Sequence, residues 1–497
     1  MVFQKLRMFQ KAKITVTCCV GVFVILSVFC FSALGQGATA PTLSFGGGYS
    51  TSNYTPFWLR ANQFGAVPTE ENYVNVGGST SVDYRKGKKM DWGYGASARL
   101  NLGDTKADLL VQEAYLKGKW GIFEISAGRK KYIQGLMDST LSSGSFAFSG
   151  NALPMPKLEI VVNEYWHPDF LGGYFGFKGN FIHGLFDNKR SDVDHIFLHQ
   201  KSFYGRIGKP NSLFKFYAGF NHQVQWGGTL KYPDPRNQVS HNGKIASSLK
   251  DYLYVITGQS MAAAGGDTAQ YGMNDAYNRL GNHLGTVDVG MEIDGQFGKV
   301  FFYRQSIYED GSLFYGNNIT DGLHGVAFST KRKQGLLKIV FEYLNTTSQG
   351  GAGGSGNTVG YLRGQDNYLN NGVYREGWTY LGRGLGTPLM TLDSETDLNN
   401  SKEIFYDNNR VESFYVGAEL MLGENHIMFR GSLTNAIGYY GSEYIPVKKQ
   451  MAFGLQWQRQ ISVFGQNAFL SANIGADLGS WKKDLVGTNF TLSVPLQ

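Results

Sequence analysis

The sequence of 497 residues is poor in cysteine, proline and charged residues. Its three cysteines, Cys18, Cys19 and Cys30, all lie near the N terminus, and none follows them. The rest of the chain therefore has no disulfide, no thiolate nucleophile and no cysteine-ligated metal. Charged residues make up only 17% of the chain, and no basic run is interleaved with aromatic residues. This composition argues against a nucleic acid partner.

Residues 1–35 have the pattern of a secretory signal peptide. A basic stretch precedes an apolar run, which ends at the small residues of positions 33–35. This leader holds four basic residues and no acidic one, so its removal lowers the formal net charge from +7 to +3. A retained helical anchor is the competing interpretation, since the run approaches the length that spans a bilayer. A lipidated Cys30 is disfavoured because the bulky Val28 and Phe29 precede it.

Long apolar runs are also lacking after residue 35. No stretch there approaches the roughly 20 apolar residues of a membrane-spanning helix, so any membrane residence must use strands. Spanning strands must close into a barrel, because hydrocarbon offers no partner for the backbone groups of a sheet edge. The chain is instead rich in glycine, tyrosine and phenylalanine (66, 29 and 34 residues), which suits many short strands and tight turns.

Alternation of apolar and polar residues recurs along the chain. Residues 109–117 alternate, a Gly-containing turn at 118–121 follows, and residues 122–128 continue as a second strand. Phe490, Leu492 and Val494 repeat with period two near the C terminus. A secreted β-sandwich or propeller shares this alternation, but the polar faces opposite apolar ones fit a polar lumen and a lipid face. At roughly 25 residues per strand and connection, about 16 to 20 strands are expected.

Long connections interrupt the alternation at residues 136–156, 226–282 and 348–409. The second is predicted to contain a helix, because Ile245, Leu249, Tyr252 and Ile256 follow helical spacing and Gly258 is placed to cap it. The third begins with the Gly-rich residues 350–356. These predict a flexible loop and not a phosphate-binding loop, because no Lys-Ser or Lys-Thr follows.

A series of short motifs extends over most of the chain after the leader. They are residues 61–65, 112–117, 127–130, 141–145 and 151–156, His222 with residues 226–228, residues 282–285 and 321–323, residues 370–371 with 377–378, and residues 386–389. In this order and spacing they resemble the capsule assembly Wzi family of outer-membrane proteins, in its Bacteroidetes-like form. The resemblance implies an all-β transmembrane antiparallel β-barrel of about 18 strands over residues 36–497, with long extracellular loops. It also implies a lectin in the cell outer membrane that binds capsular or other surface polysaccharide.

Carbohydrate binding requires flat aromatic faces and planar polar side chains. Near the predicted loops, these residue types occur at Trp166, His167, His222, Trp226, Asn282, His283, Asn371, Trp378 and Tyr380. The alternative interpretation places the aromatic residues in the interfacial girdles of a barrel. Four charged residues near the long loops either bind an acidic polymer or brace the lumen: Asp321, Asp366, Arg375 and Arg383.

Signals of catalysis are weak. The chain has no G-x-S-x-G elbow, and His195 and His199 lack an accompanying H-E-x-x-H pattern. We therefore predict a non-enzymatic monomer without cofactor or metal, in contact with outer-membrane lipid, that retains a polymer through many weak contacts. A channel for solutes or oligosaccharides is the leading alternative function, and a surface enzyme is the second.

Overall fold

The computed structural model describes residues 38–70, 72–267, 271–277, 279–309, 313, 316–351, 366–396, 405–463 and 465–496. The predicted leader, residues 1–35, lies outside this part of the chain. So does most of the Gly-rich segment 350–356, of which only Gly350 and Gly351 are described.

Eighteen antiparallel strands form one closed barrel. They are β1 (Ala38–Ser50), β2 (Tyr73–Val82), β3 (Met90–Gly103), β4 (Ala107–Trp120), β5 (Phe123–Arg129), β6 (Pro156–Trp166), β7 (Phe175–Leu185), β8 (Phe197–Ile207), β9 (Phe214–Trp226), β10 (Asn282–Asp294), β11 (Gly298–Glu309), β12 (Gly322–Thr330), β13 (Gly335–Asn345), β14 (Arg410–Leu422), β15 (Asn425–Tyr439), β16 (Ser442–Val463), β17 (Gln466–Gly479) and β18 (Leu485–Pro495). Each strand pairs with its neighbours in sequence, and the first strand also pairs with the last. Phe45, for example, lies opposite Val76 of β2 on one side and Leu492 of β18 on the other. The prediction of an antiparallel barrel of about 18 strands is confirmed.

The wall alternates between an apolar outer face and a polar inner face, as a barrel in lipid requires. In β4 the phase changes once. Leu109 and Val111 are exposed on the outer face, but after a bulge at Gln112 the exposed residues are Ala114 and Leu116. The uninterrupted alternation predicted for 109–117 is therefore wrong at this point, because an extra residue in one strand reverses the faces beyond it.

The two ends of the barrel differ. The connections 51–72, 130–155, 186–196, 227–281, 310–321 and 346–409 all lie at one end, which we call the loop end. The other end, the turn end, carries shorter connections such as 121–122 and 423–424, together with the barrel termini Ala38 and Pro495. Exposed aromatic residues, among them Trp92, Trp120 and Phe297, surround the turn end. This asymmetry and this girdle are typical of outer-membrane barrels.

Three segments from the loop end fold back into the lumen, and we call them the plug: residues 51–70, 130–155 and 366–396. The plug contacts the wall on several sides: Trp58 Nε1 donates to Ser432 Oγ of β15 (3.1 Å), and Leu136 N donates to Asp288 Oδ2 of β10 (2.8 Å). One buried cluster joins its segments to each other and to the inner wall. The lumen at the loop end is therefore a packed core.

The first plug segment contains the short helix α1 (Phe57–Arg60), which lies against a smooth area of wall. Gly454, Gly475 and Gly487 face it from β16, β17 and β18. A Cβ at Gly454 would lie 2.7 Å from Trp58 Cβ, so only glycine leaves room for the helix here. The Trp58 ring thereby reaches the wall.

Connection 227–281 has two parts. Residues 228–245 pack with the plug at the loop end, whereas residues 246–281, which we call the strap, fold over the outside of the wall as far as they are described. The strap contains helices α2 (Leu249–Thr257) and α3 (Met273–Tyr277). Helix α2 begins with a capping box of Ser248 and Asp251 and ends at Gly258 with a φ of 64°, so the predicted helix and its cap are confirmed. Ile245, which was included in the predicted helix, lies instead in a short strand before it. None of the described helices has the length and apolar character of a membrane-spanning helix.

Candidate functional site

The structure places the nine predicted polysaccharide-binding residues in three separate regions and at one surface position. Trp166 and His167 lie at the turn end, away from the other seven. Trp166 is 37% exposed and packs edge to face on Phe177, with the ring centroids 5.3 Å apart. His167 Nδ1 lies 3.0 Å from the carbonyl oxygen of Gly173. Trp166 thus belongs to the aromatic girdle, the alternative that the sequence left open.

His222, Trp226 and His283 lie on the outer face of the wall beneath the strap. His222 Nε2 and His283 Nδ1 are 2.9 Å apart, and Trp226 stacks on Tyr252 of α2 with the ring centroids at 5.1 Å. Asn282 donates to Gln225 Oε1 at 2.8 Å. All four predicted residues are buried, with exposures of 4% to 9%. His222, Trp226 and His283 lie under the strap, whereas Asn282 faces the lumen, where Gln225 also contacts Gly377 of the plug. None of the four presents a surface to a polymer.

Trp378 and Tyr380 are buried in the plug, at 0% and 2% exposure. The Tyr380 hydroxyl accepts a hydrogen bond from Arg129 Nη2 at 2.8 Å, which ties the third plug segment to the end of β5. Asp321 likewise braces the interior, because its carboxylate accepts the backbone amides of Ser348 and Gln349 at 3.0 and 2.7 Å. Burial raises the pKa of Asp321.

The ninth predicted residue, Asn371, lines an open cleft of about 640 Å³ at the loop end. We call it the loop cleft, and its lining comes from three different connections: Ser191, Asp192, Tyr232, Asn367, Asn370, Asn371, Gly372, Arg375, Glu376 and Phe405. Of these, the sequence singled out only Asn371 and Arg375 as site candidates. Tyr232 and Asp192 do not belong to any of the sequence motifs described above. The three asparagines among residues 367–371, together with Arg375, are the signals of the site in the sequence.

A buried ion pair fixes the floor of the loop cleft. Arg190 Nε lies 3.1 Å from Asp192 Oδ1, and both side chains are almost fully buried. Arg190 Nη1 also donates to the carbonyl oxygen of Thr379 (3.1 Å), and Asp192 Oδ2 accepts the backbone amide of Glu376 (2.9 Å). These contacts join connection 186–196 to the plug, so the cleft is formed before any ligand enters.

The walls of the loop cleft present an aromatic ring, a cation and an amide. The Arg375 guanidinium lies 3.7 Å from the centroid of the Tyr232 ring, and the Tyr232 hydroxyl donates to the carbonyl oxygen of Val373 at 3.0 Å. Burial raises the pKa of Tyr232. Asn371 Oδ1 accepts hydrogen bonds from the backbone amides of Val373 and Tyr374. The NH₂ group of Asn371 supplies a donor. Arg375 is exposed and forms no ion pair with any described carboxylate.

These groups suit a sugar, whose ring stacks on an aromatic face and whose hydroxyls need planar donors and acceptors. Metal chemistry has no support within the described ranges, where no group of three or more His, Cys, Asp or Glu side chains is placed to hold an ion.

Comparison with known proteins gives a family and a fold. Residues 58–464 match the family model described as capsule assembly protein Wzi. Among solved structures, the Escherichia coli Wzi barrel is 16% identical, with 94% of this chain and 86% of that chain covered and a TM-score of 0.57. It is described as a carbohydrate-binding outer-membrane β-barrel involved in group 1 capsule assembly.

Two Pseudomonas aeruginosa outer-membrane barrels also match. OprD is 9% identical over 93% of this chain and 95% of its own, with a TM-score of 0.45. OccK3 is 9% identical over 93% and 96%, with a TM-score of 0.44. No curated protein matches the chain.

Proposed function

The chain belongs to the capsule assembly protein Wzi family, and on that premise we propose that it binds surface polysaccharide through the loop end of its barrel and helps to attach or assemble it there. The chain is an outer-membrane protein of the Wzi type. Long connections of such barrels face the outside of the cell and short turns face the periplasm. The loop end is therefore where a surface polymer arrives.

The loop cleft is the observation that carries this proposal. It lies at the loop end, its floor is fixed by the Arg190–Asp192 pair, and its walls offer Tyr232, Arg375 and Asn371. We place polymer contacts at these three residues. Trp378 and Tyr380 support the cleft from below, His222, Trp226 and His283 lie under the strap, and Asn282 bonds to Gln225 on the lumen side. Trp166 and His167 lie at the periplasmic end and are not part of this site.

We infer binding without catalysis. Hydrolysis of a glycosidic bond needs one carboxyl group that holds a proton and a second that is ionised and accessible. In the loop cleft, Asp192 is held by Arg190, and Glu376 Oε1 accepts a hydrogen bond from Ser191 Oγ at 2.8 Å. Carboxylates held in this way serve structure. Retention of a long polymer then depends on many weak contacts with its repeat units.

The chain is proposed to act as a monomer after removal of residues 1–35. A single chain supplies all the pairing of its sheet, since β1 closes on β18, and so needs no partner strand. The exposed apolar outer face, for example Leu158, Phe216 and Phe341, is then in contact with outer-membrane lipid.

The test is the division of surface polysaccharide between cells and medium in a strain that lacks the protein and carries plasmid-borne variants. We expect the deletion to release polymer while the total amount stays constant. Tyr232→Ala and Arg375→Ala should release an intermediate fraction, because each removes one contact of about 1–3 kcal/mol per repeat unit.

Arg459→Ala is the matched control. Arg459 is exposed at the turn end, where it pairs with Glu424 at 2.8 Å, so its loss should leave retention unchanged. Polymer that stays attached in the deletion strain, or cleft variants that retain it as fully as the parent, would contradict the proposal.

A further inference from the structure

We infer that the barrel contains a second binding site, for a single oxyanion group such as a carboxylate or phosphate, in the lumen on the turn side of α1. A cavity of about 160 Å³ lies between α1 and the inner wall. Its polar lining includes Arg99, Arg430, Gln456, Asn473, Asn489 and Thr491. No aspartate or glutamate is found among the described residues that line it.

Two lysines of the inner wall have carboxylate partners. Lys157 lies 3.3 Å from Glu159, Lys215 lies 2.8 Å from Glu292, and these side chains are almost fully buried. Such pairing is expected, because a cation removed from water is costly unless an opposite charge compensates it.

Arg99 and Arg430 differ from these lysines, since neither forms an ion pair with a described carboxylate. Arg99 Nε donates to Asn101 Oδ1 at 2.9 Å, and Arg430 Nη2 donates to the carbonyl oxygen of Thr140 at 3.2 Å. Arg99 is also hydrogen-bonded to Tyr73, and Arg430 to Tyr415. Each guanidinium has five N–H donors, so several of these donors remain for a ligand in the cavity. Two half-buried guanidinium groups without a carboxylate create a positive potential that an oxyanion balances.

The remaining lining fits the same ligand. Asn473, Asn489 and Gln456 supply amide groups, and Thr491 and Ser471 supply hydroxyls, which together donate to the oxygens of an anion or of the sugar that carries it. The volume corresponds to about five water molecules at roughly 30 Å³ each. The cavity therefore accommodates one charged head group, and a polymer chain is too large for it.

This site is distinct from the loop cleft. Gly475 lies against Leu59 of α1, and Gly487 lies against Pro56 just before it. The lining residues Asn473, Asn489 and Thr491 lie beyond these glycines toward the turn end of β17 and β18. The plug thus lies between the two sites. The cavity belongs to the periplasmic side of the barrel and does not depend on polysaccharide binding at the cell surface.

Calorimetric titration of the full-length barrel in neutral detergent at low ionic strength tests the inference, with sodium glucuronate, sodium phosphate and glucose as probes. We expect both anions to bind and glucose not to bind. Arg99→Gln and Arg430→Gln should each weaken the binding of the anions by about tenfold or more, since a hydrogen bond to a charged group is lost. Tighter binding of glucuronate would identify a sugar acid as the ligand, and tighter binding of phosphate a phosphate group.

Two variants keep the result interpretable. Arg99→Lys keeps the charge and should retain most of the affinity, even if Arg99→Gln fails to fold. Arg459→Gln removes an exposed guanidinium that pairs with Glu424 at the turn end, outside the cavity, and should bind the anions as the parent does. Glucose that binds as tightly as glucuronate, anion binding that is unchanged in both glutamine variants at Arg99 and Arg430, or its loss in Arg459→Gln would overturn the inference.

Discussion

At the scale of single residues, the strap buries a carboxyl group whose pKa is raised. Asp275 of α3 is 5% exposed, and Asp251 of α2 is held by the Tyr271 hydroxyl at 3.0 Å. Burial, together with the negative charge of Asp251, raises the pKa of Asp275 from its ordinary 3.8 to about 7. The folded strap therefore binds a proton at this side chain under conditions in which the unfolded strap does not.

Asp275→Asn is expected to stabilise the strap relative to the parent above pH 7 and to have little effect near pH 4. Between pH 3.8 and about 7 the unfolded state loses its proton first, so the stability of the parent falls as the pH rises. The full difference corresponds to about 4 kcal/mol at most. Hydrogen exchange of the α2 amides at pH 5 and pH 8 measures it.

Histidines also lie beneath the strap, and Tyr252 of α2 contacts His199 with its hydroxyl 3.3 Å from Nδ1. The same histidines are present in the variant and the parent, so the comparison between the two proteins isolates Asp275. A stability difference between the two proteins that is the same at pH 5 and pH 8 would refute the assignment.

The residue scale is also where the sequence was least informative. Asn371 and Arg375 were recognisable as planar polar groups near a long loop, and the structure places both in the cleft. Tyr232 and Asp192 were not recognisable from the sequence, because they belong to other connections. Contacts between Arg190 and Thr379 and between Tyr232 and Val373 bring these connections to the cleft. His222 and His283 looked like surface groups, since no local pattern shows that the strap covers them.

At the scale of elements, α1 depends on glycines in three neighbouring strands. Gly454→Ala should displace Trp58 and destabilise the plug by about 1–3 kcal/mol, because the added Cβ would lie 2.7 Å from Trp58 Cβ. Thermal unfolding followed by tryptophan fluorescence reports the change. Gly118→Ala, in a strand position with nothing within 4 Å of the added Cβ, is the control and should be close to neutral. Equal midpoints for the two variants would argue against this packing.

Most elements followed from the sequence. Alternation predicted the hairpin β4–β5, and helical spacing with Gly258 predicted α2. The bulge at Gln112 could not be predicted from the sequence. A single extra residue leaves the composition of a strand unchanged, but it exchanges the residues that face lipid with those that face the lumen. The path of the long connections was equally hidden. Segment 130–155 enters the lumen and the strap covers the outside, although both are loops of mixed polarity.

At the scale of the whole molecule, the plug separates this barrel from an open channel. We expect the intact protein to show no stable conductance in planar bilayers, because the lumen at the loop end is packed around residues such as Phe146, Tyr368 and Trp378. Replacement of residues 130–155 by a short turn should open it. Arg129 and Pro156 are already paired, so the strands remain joined without the segment.

Removal of most of the strap is the matched control for this measurement. Ile245 pairs with Gly228 close to the end of β9, and Asn282 begins the neighbouring strand, so a short linker can replace residues 247–278. Because the strap packs on the outer face of the wall, its removal should leave the bilayer as tight as before. Stable conductance in the intact protein would contradict a closed lumen and would support the channel function instead.

A packed lumen has a consequence for the cell as a whole. An open barrel of 18 strands would add to the permeability of the outer membrane with every copy, and so would admit toxic solutes in proportion to its abundance. The plugged barrel breaks this proportionality. Its copy number on the surface can rise to match the amount of polymer to be held, while the membrane remains a barrier.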